Sequence, residues 1–284
     1  MLQVELDIFS GRPNPRWALT PREERELIER VKADPSLMVP VTTPVGGLGY
    51  RGYIIERVKE ESGEARSKER PLPSQFRIGG GHDKDAATSL WLLDTSEKED
   101  TEVDDYLREV AAGTIRQPEP VLATGVPQAI EKGALTACSS NFLTSSTDFS
   151  FWNGGQYINK NNCYNFAANH RTNTFAQPGR ISGYTLPYPP TCSNTRTGVE
   201  LDGWFNSCQA ADNLTICLVI WPGYDFHFYR KCQNNIWCHK PGRTAARNYD
   251  NSGNIITNPE TCNRGGYTTF CEYWYADNDL ILVS

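Results

Sequence analysis

Apolar and polar residues alternate with a period of two across Val4-Glu5-Leu6-Asp7-Ile8, the pattern of a strand with one buried face. Ser10-Gly11-Arg12-Pro13-Asn14-Pro15 breaks that pattern and predicts a turn. Thr20-Pro21-Arg22-Glu23 then reads as a helix start. Thr20 can cap, Pro21 gives up no needed N–H at the first position, and Glu23 can reach back to complete a capping box. The helix is expected to run to about Lys32, with a thin apolar stripe of Leu27, Ile28 and Val31 suited to covering one face of a small sheet. Tyr53-Ile54-Ile55 and Phe76-Arg77-Ile78 read as further strands around the charged loop Lys59–Arg70, and a second helix is expected from about Glu99 to Ala111.

Between Gly113 and Ala137 periodicity fades and Pro118, Pro120 and Pro127 appear, which suits a connection between domains. Beyond it, short β-like runs dominate: Leu214–Trp221, Phe226–Arg230, Ile236–His239 and Leu280–Val283. One short helical stretch, Cys163–His170, precedes them. A helix followed by several strands suits an α+β fold with the sheet packed on that helix. The resulting organisation is a charged α+β module over 1–112, a linker over 113–135 and a cysteine-rich domain over 136–284.

Charge and composition sharpen this division. Residues 1–112 carry 22 acidic and 16 basic side chains and residues 113–284 carry 12 of each, so the whole net charge of −6 lies in the first part. All nine cysteines and 24 of the 31 aromatics lie in the second. No basic surplus in either part means no nucleic-acid partner is expected. No apolar run is long enough for a membrane span, and the opening Met-Leu-Gln-Val-Glu-Leu-Asp shows no signal-peptide pattern. No cofactor loop is present: Gly79-Gly80-Gly81 before His82 lacks the Gly-Lys-Ser/Thr of a phosphate loop and reads as a turn. The charged helices of the first module read as solvated surface on a unit that positions the second module or oligomerises it by self-association.

Cysteine usage carries the candidate chemistry. Eight half-cystines, Cys138, Cys192, Cys208, Cys217, Cys232, Cys238, Cys262 and Cys271, are expected to form bridges whose connectivity the sequence leaves open. That density argues for an oxidising, extracellular compartment, where Asn213-Leu214-Thr215 would be a glycosylation acceptor. The competing use is zinc, with ligands among Cys232, Cys238, His239, Cys262 and Cys271, but their separations do not fit a paired Cys-x-x-Cys site, and no metal is expected. Cys163 is the odd thiol. Asn161-Asn162 can cap a helix whose first turn holds it, and a helix start stabilises a thiolate. The plain alternative is a buried small hydrophobe or another half-cystine.

A nucleophilic cysteine needs a base and a group that orients the base. His227 lies in Tyr224-Asp225-Phe226-His227-Phe228-Tyr229-Arg230, where alternation turns it to the face opposite Phe226 and Phe228. His239 lies twelve residues on, in the next strand of a plausible hairpin. Phe151-Trp152-Asn153-Gly154-Gly155 ahead of Asn162-Cys163-Tyr164-Asn165-Phe166 resembles the NlpC-type and CHAP-type members of the papain-like superfamily over about 151–242. The resemblance implies a secreted cysteine hydrolase of peptide or peptidoglycan-like amide bonds, with a peptide or cell-wall-like substrate and no cofactor. Cys163 would be the nucleophile, His227 the base and His239 the orienting group, with Asp225 or Asn235 as alternatives. Trp152, Gly154, Gly155 and Tyr164 would line the substrate cleft. Asn-Cys-Tyr-Asn in place of the usual Asp-Cys-Ser-Gly departs from that pattern. Separately, Phe9–Pro15 and His239-Lys240-Pro241-Gly242 resemble segments of uncharacterised proteins, some associated with secreted or mollusc shell-matrix material. That likeness carries no activity but favours a structural job for the fold, and because fold alone does not give function the alternative is a non-catalytic extracellular structural or binding (matrix) protein on the same scaffold.

Overall fold

The computed structural model describes residues 1–43, 45–58, 72–80, 86–97, 101–116, 145–208 and 213–284. The charged loop Lys59–Arg70, His82, Cys138 and most of the expected linker lie outside the described residues. The chain has an α+β architecture that divides into two compact units, one formed by Met1–Ile8 and Asn14–Glu119, the other by Phe9–Pro13 and Pro120–Ser284. The short piece Phe9–Pro13 thus belongs to the second unit, a feature without a local sequence signal.

The first unit holds an antiparallel sheet in the order β2-β1-β3-β4, with β1 at Leu2–Leu6, β2 at Arg16–Ala18, β3 at Tyr53–Arg57 and β4 at Gln75–Ile78. Glu5 in β1 and Asp7 just beyond it are buried, and both are matched by charge and hydrogen bonds. Glu5 pairs with Arg16 at 2.5 Å and accepts from Asn14 Nδ2 at 2.9 Å. Asp7, with no exposure, receives Arg51 Nη2 at 2.7 Å and Arg77 Nη1 at 2.8 Å. Burial works to raise the Asp7 carboxyl, but the guanidinium charges and hydrogen bonds of Arg51 and Arg77 outweigh it and hold the group below the usual carboxylate range.

Helix α1, Pro21–Ala33, starts on the expected capping box: Thr20 accepts from the Glu23 N–H, and Glu23 accepts from the Thr20 N–H at 2.6 Å. Two further helices follow, α2 at Ala86–Asp94, which the sequence pattern does not announce, and α3 at Asp105–Arg116. The start of α3 falls later than the expected Glu99 because Asp104 caps it, accepting from the Leu107 N–H at 2.8 Å.

The second unit contains α4 (Ser150–Asn153), α5 (Cys163–Ala167) and α6 (Cys192–Leu201), then an antiparallel sheet in the order β7-β6-β5-β8. β5 spans Leu214–Trp221, β6 Asp225–Lys231, β7 Trp237–His239 and β8 Thr269–Ala276. Helix α5 stops before His170 because Asn169 takes a left-handed φ of 56°. The expected strand at Leu280–Val283 is not formed; β8 takes that edge, and the chain then turns where Asp277 accepts from the Asp279 and Leu280 N–H groups. Helix α6 was hidden in a stretch rich in Ser, Thr, Asn and Gly, yet Thr191 and Asn194 close a capping box at its start.

One face of the sheet forms the main core. Ile216, Leu218, Ile220, Phe226, Phe228 and Trp274 pack there with Cys163, Tyr164, Ala167 and Ala168 of the α5 region and Val199 of α6. A disulfide from Cys192 to Cys271 ties the start of α6 to β8, and one from Cys232 to Cys238 closes the link between β6 and β7. Cys208 is also disulfide-bonded. Cys217 and Cys262, expected among the bridged cysteines, carry free thiols instead, as does Cys163. Among the described residues no helix is long and apolar enough to cross a membrane.

Candidate functional site

The start of α5 is held by a ring of asparagines. Asn162 Oδ1 accepts from the Tyr164 and Asn165 N–H groups, each at 3.1 Å, while Asn165 Oδ1 accepts from the Asn162 N–H at 3.1 Å and the Ala176 N–H at 3.0 Å. Asn162 Nδ2 donates to the carbonyls of Gly11 and Ala176. The expected cap at Asn162 is therefore real, and it fixes Cys163 at the foot of the helix. Beside it the buried Lys240 ammonium donates to three carbonyls, Ile158 at 2.6 Å, Asn161 at 2.5 Å and Gly242 at 2.7 Å.

Cys163 itself is fully buried with a free thiol. Burial pushes that thiol well above its ordinary value, and the Asp225 charge pushes the same way; the Phe228 backbone and the Lys240 charge only partly offset them. The helix start does not rescue a thiolate, because the loss of water outweighs the local dipole.

His227 and His239 do meet. His227 Nε2 and His239 Nδ1 lie 3.0 Å apart, and His239 Nε2 lies 3.0 Å from the Tyr249 carbonyl oxygen. An Nε2–H donated to that carbonyl leaves His239 Nδ1 to accept from His227 Nε2–H. The pair is walled by aromatics, with Tyr229 stacked on His239 at 4.8 Å between ring centres and Tyr267 5.7 Å from His227. Alternation along β6 sets the two groups apart: Cys163 packs with Phe226 and Phe228, whereas His227 shares the other face with Tyr229. The helix bearing the thiol and the histidine pair occupy opposite faces of one strand. His170, the remaining described histidine, lies 3.0 Å from the Asn278 carbonyl oxygen through Nε2.

Asp225 has a different role from the orienting one considered for it. Its carboxylate accepts from the N–H groups of Ser10 at 2.6 Å, Gly11 at 3.1 Å and Arg12 at 2.9 Å, and from the Tyr267 hydroxyl at 2.5 Å. Burial raises its pKa, and these four donors partly offset the rise. Gly11 is required there because a Cβ would stand 2.5 Å from the Phe226 ring. Partners more than 200 positions away, as Ser10 is from Asp225, leave no motif in the sequence.

The residues expected to line a cleft are placed otherwise. Trp152 is buried against Phe166, with ring centres 5.3 Å apart. Tyr164 is buried and donates its hydroxyl to Asp202 Oδ2 at 2.6 Å. They are core residues, and of the four only Gly154 and Gly155 reach solvent. Asn235, the other alternative orienting residue, ends a one-turn 3-10 helix at Gln233–Asn235. Asn213 is tied into a turn, accepting from the Asn278 N–H at 2.9 Å and donating to Asp277.

No family model matches the chain, and no solved structure matches it. Insoluble matrix shell protein 1 of Ruditapes philippinarum is 43% identical over 140 residues, an alignment that covers 48% of this chain and 90% of that protein. This chain belongs to the family of insoluble matrix shell protein 1. The relationship corrects the hydrolase expectation: a family member is a shell matrix protein, not a cysteine peptidase or amidase. Of the two resemblances drawn from sequence, the shell-matrix one has a measured counterpart. The physical reason for the correction is local, since a nucleophile must be desolvated only in part and lowered in pKa, and Cys163 is neither.

Proposed function

We propose that this protein is a non-catalytic, extracellular matrix component, working as a structural or binding element on a disulfide-stapled α+β scaffold. The family relationship carries the reading, since nine-tenths of a shell matrix protein aligns to this chain at 43% identity. Disulfides at Cys192–Cys271 and Cys232–Cys238 agree with an oxidising compartment. The buried thiol of Cys163 agrees with a packing role.

Two measurements test it together. Iodoacetamide applied to the native, non-reduced protein at neutral pH leaves Cys163 unmodified and modifies it only after unfolding. Peptide mass spectrometry of the source tissue finds the protein in the extracellular matrix fraction. Rapid native alkylation of Cys163 that depends on His227, or recovery of the protein mainly inside cells with its cysteines reduced, overturns the reading.

A further inference from the structure

The face of the sheet that carries His227 also carries Cys217. It lies near the middle of β5, and its register partners are Tyr229 on β6 and Tyr273 on β8. Both tyrosines reach the same piece of chain. The Tyr229 hydroxyl faces the Cys262 sulfur, and the Tyr273 hydroxyl donates to Glu260 Oε1 at 2.6 Å. The two neighbours of Cys217 therefore hold segment 260–262 over it, and Cys262 is among the charges that act on the Cys217 thiol.

That segment belongs to a long irregular stretch between β7, which ends at His239, and β8, which begins at Thr269. Apart from isolated bridges, the stretch is organised by side chains. Asp250 Oδ1 accepts from the Ser252 and Asn254 N–H groups, and Asp250 Oδ2 from Asn263 N–H. A connection of this length without strands or helices is uncommon in a compact domain and usually has a separate means of support.

We propose that Cys217 and Cys262 form a disulfide that fastens this stretch to the centre of the sheet, leaving Cys163 as the odd thiol. The step is thiol–disulfide exchange with a small-molecule disulfide such as oxidised glutathione. The Cys262 thiolate, on the partly exposed partner, attacks the donor disulfide and releases one donor thiol. The Cys217 thiolate then attacks Cys262 Sγ in the mixed disulfide and releases the second. Two protein thiols become one disulfide and the donor disulfide becomes two thiols. Cys163 does not compete for Cys217, because it packs with Ile216, Leu218 and Phe228 on the opposite face. The inference does not rest on the matrix reading, since it concerns only how segment 260–262 is held over β5.

The test uses the full chain, purified and incubated with oxidised glutathione, then acid-quenched, blocked with N-ethylmaleimide and mapped without reduction. A peptide pair linked through Cys217 and Cys262 is expected, with labelling of Cys262 falling by at least ~10-fold while Cys163 still labels after unfolding. A Cys217–Cys262 link already present in the purified protein supports the proposal equally. Cys217→Ser is expected to stop at the glutathione adduct on Cys262, and Cys262→Ser, a change in a partly exposed loop, to leave Cys217 as a free thiol. A link from either residue to another cysteine, or two thiols that remain alkylatable after prolonged excess oxidant, overturns it.

Discussion

The two disulfides close loops of very different size, and removing each one makes a quantitative test of what they do for the scaffold. Cys192 and Cys271 are 79 residues apart and Cys232 and Cys238 only 6. In the chain-entropy model the longer loop stabilises the native state by about 4.5 kcal/mol and the shorter by about 2.2 kcal/mol. The former is a large share of the ~5–15 kcal/mol that holds an ordinary domain together. The Cys192→Ala/Cys271→Ala double variant is therefore expected to lose roughly twice as much stability as Cys232→Ala/Cys238→Ala. Packing works against this order, because Cys232 and Cys238 are fully buried beside Trp152 and Phe166 and their truncation also leaves small cavities, whereas Cys192 and Cys271 are only partly buried. Urea unfolding followed by hydrogen exchange of the β5 and β8 amides isolates the second unit from the first. With a slope of ~2–3 kcal/mol per M, the long-loop variant moves its midpoint by roughly 1.5–2 M. A loss below ~2 kcal/mol for that variant refutes the entropic account.

Two buried charges give further tests. Asp7→Asn leaves Arg51 and Arg77 without a counter-charge and is expected to destabilise the first unit by ~3–5 kcal/mol, read by exchange of the β1 and β3 amides. In the wild type the Asp7 contribution is fully present above the ordinary aspartate value of 3.8 and is lost as pH falls through its lower native pKa; acid titration that shows no such loss, or a variant within ~1 kcal/mol of wild type, contradicts this. Arg230 is buried, has no hydrogen-bond acceptor for its guanidinium among the described residues, and stacks 4.3 Å above the Phe166 ring. Burial lowers its pKa to about 9, and a cation–π contact of ~2 kcal/mol does not repay the lost hydration. Arg230→Met is expected to be neutral or to stabilise the second unit at pH 7 by up to ~1–4 kcal/mol. The gap narrows as pH rises above about 9, where the native wild-type arginine gives up its proton before the unfolded one. A strong destabilisation at pH 7 shows that the charge has a partner.

Much of the fold was legible where local physics decides it. The box at Thr20 and Glu23, the cap at Asn162 and the apolar run Leu214–Trp221 each contain their own partners within a few residues. Elements and ends whose signal is polar were harder to see: α6 begins in Thr-Cys-Ser-Asn, and the start of the expected α3, though not its existence, depends on a single Asp104. The candidate site shows the same division. Alternation in β6 correctly separated His227 from Phe226 and Phe228, and the cross-strand meeting with His239 follows from the hairpin. The side on which α5 packs is the reverse of the expected one: Cys163 is expected to meet the His227 face, whereas Cys163, Tyr164 and Ala167 pack with Phe226 and Phe228. Asp225 carried no local signal, because its donors come from Ser10, Gly11 and Arg12 at the far end of the chain.

The groups that suggest chemistry in the sequence are committed to the protein's own backbone and side chains. A nucleophile works when part of its hydrogen-bonding capacity and some solvent access remain open to a substrate. In this chain Lys240 is drawn onto three backbone carbonyls, Asp225 receives four donors, and His239 is fixed between His227 and the Tyr249 carbonyl. Each polar group thereby fixes a stretch of irregular backbone that has no strand or helix to satisfy it. Lys240 ties together Ile158, Asn161 and Gly242, and Asp225 ties Ser10–Arg12 to the start of β6. Residue types that suggest chemistry when read along the sequence here hold long loops in one conformation.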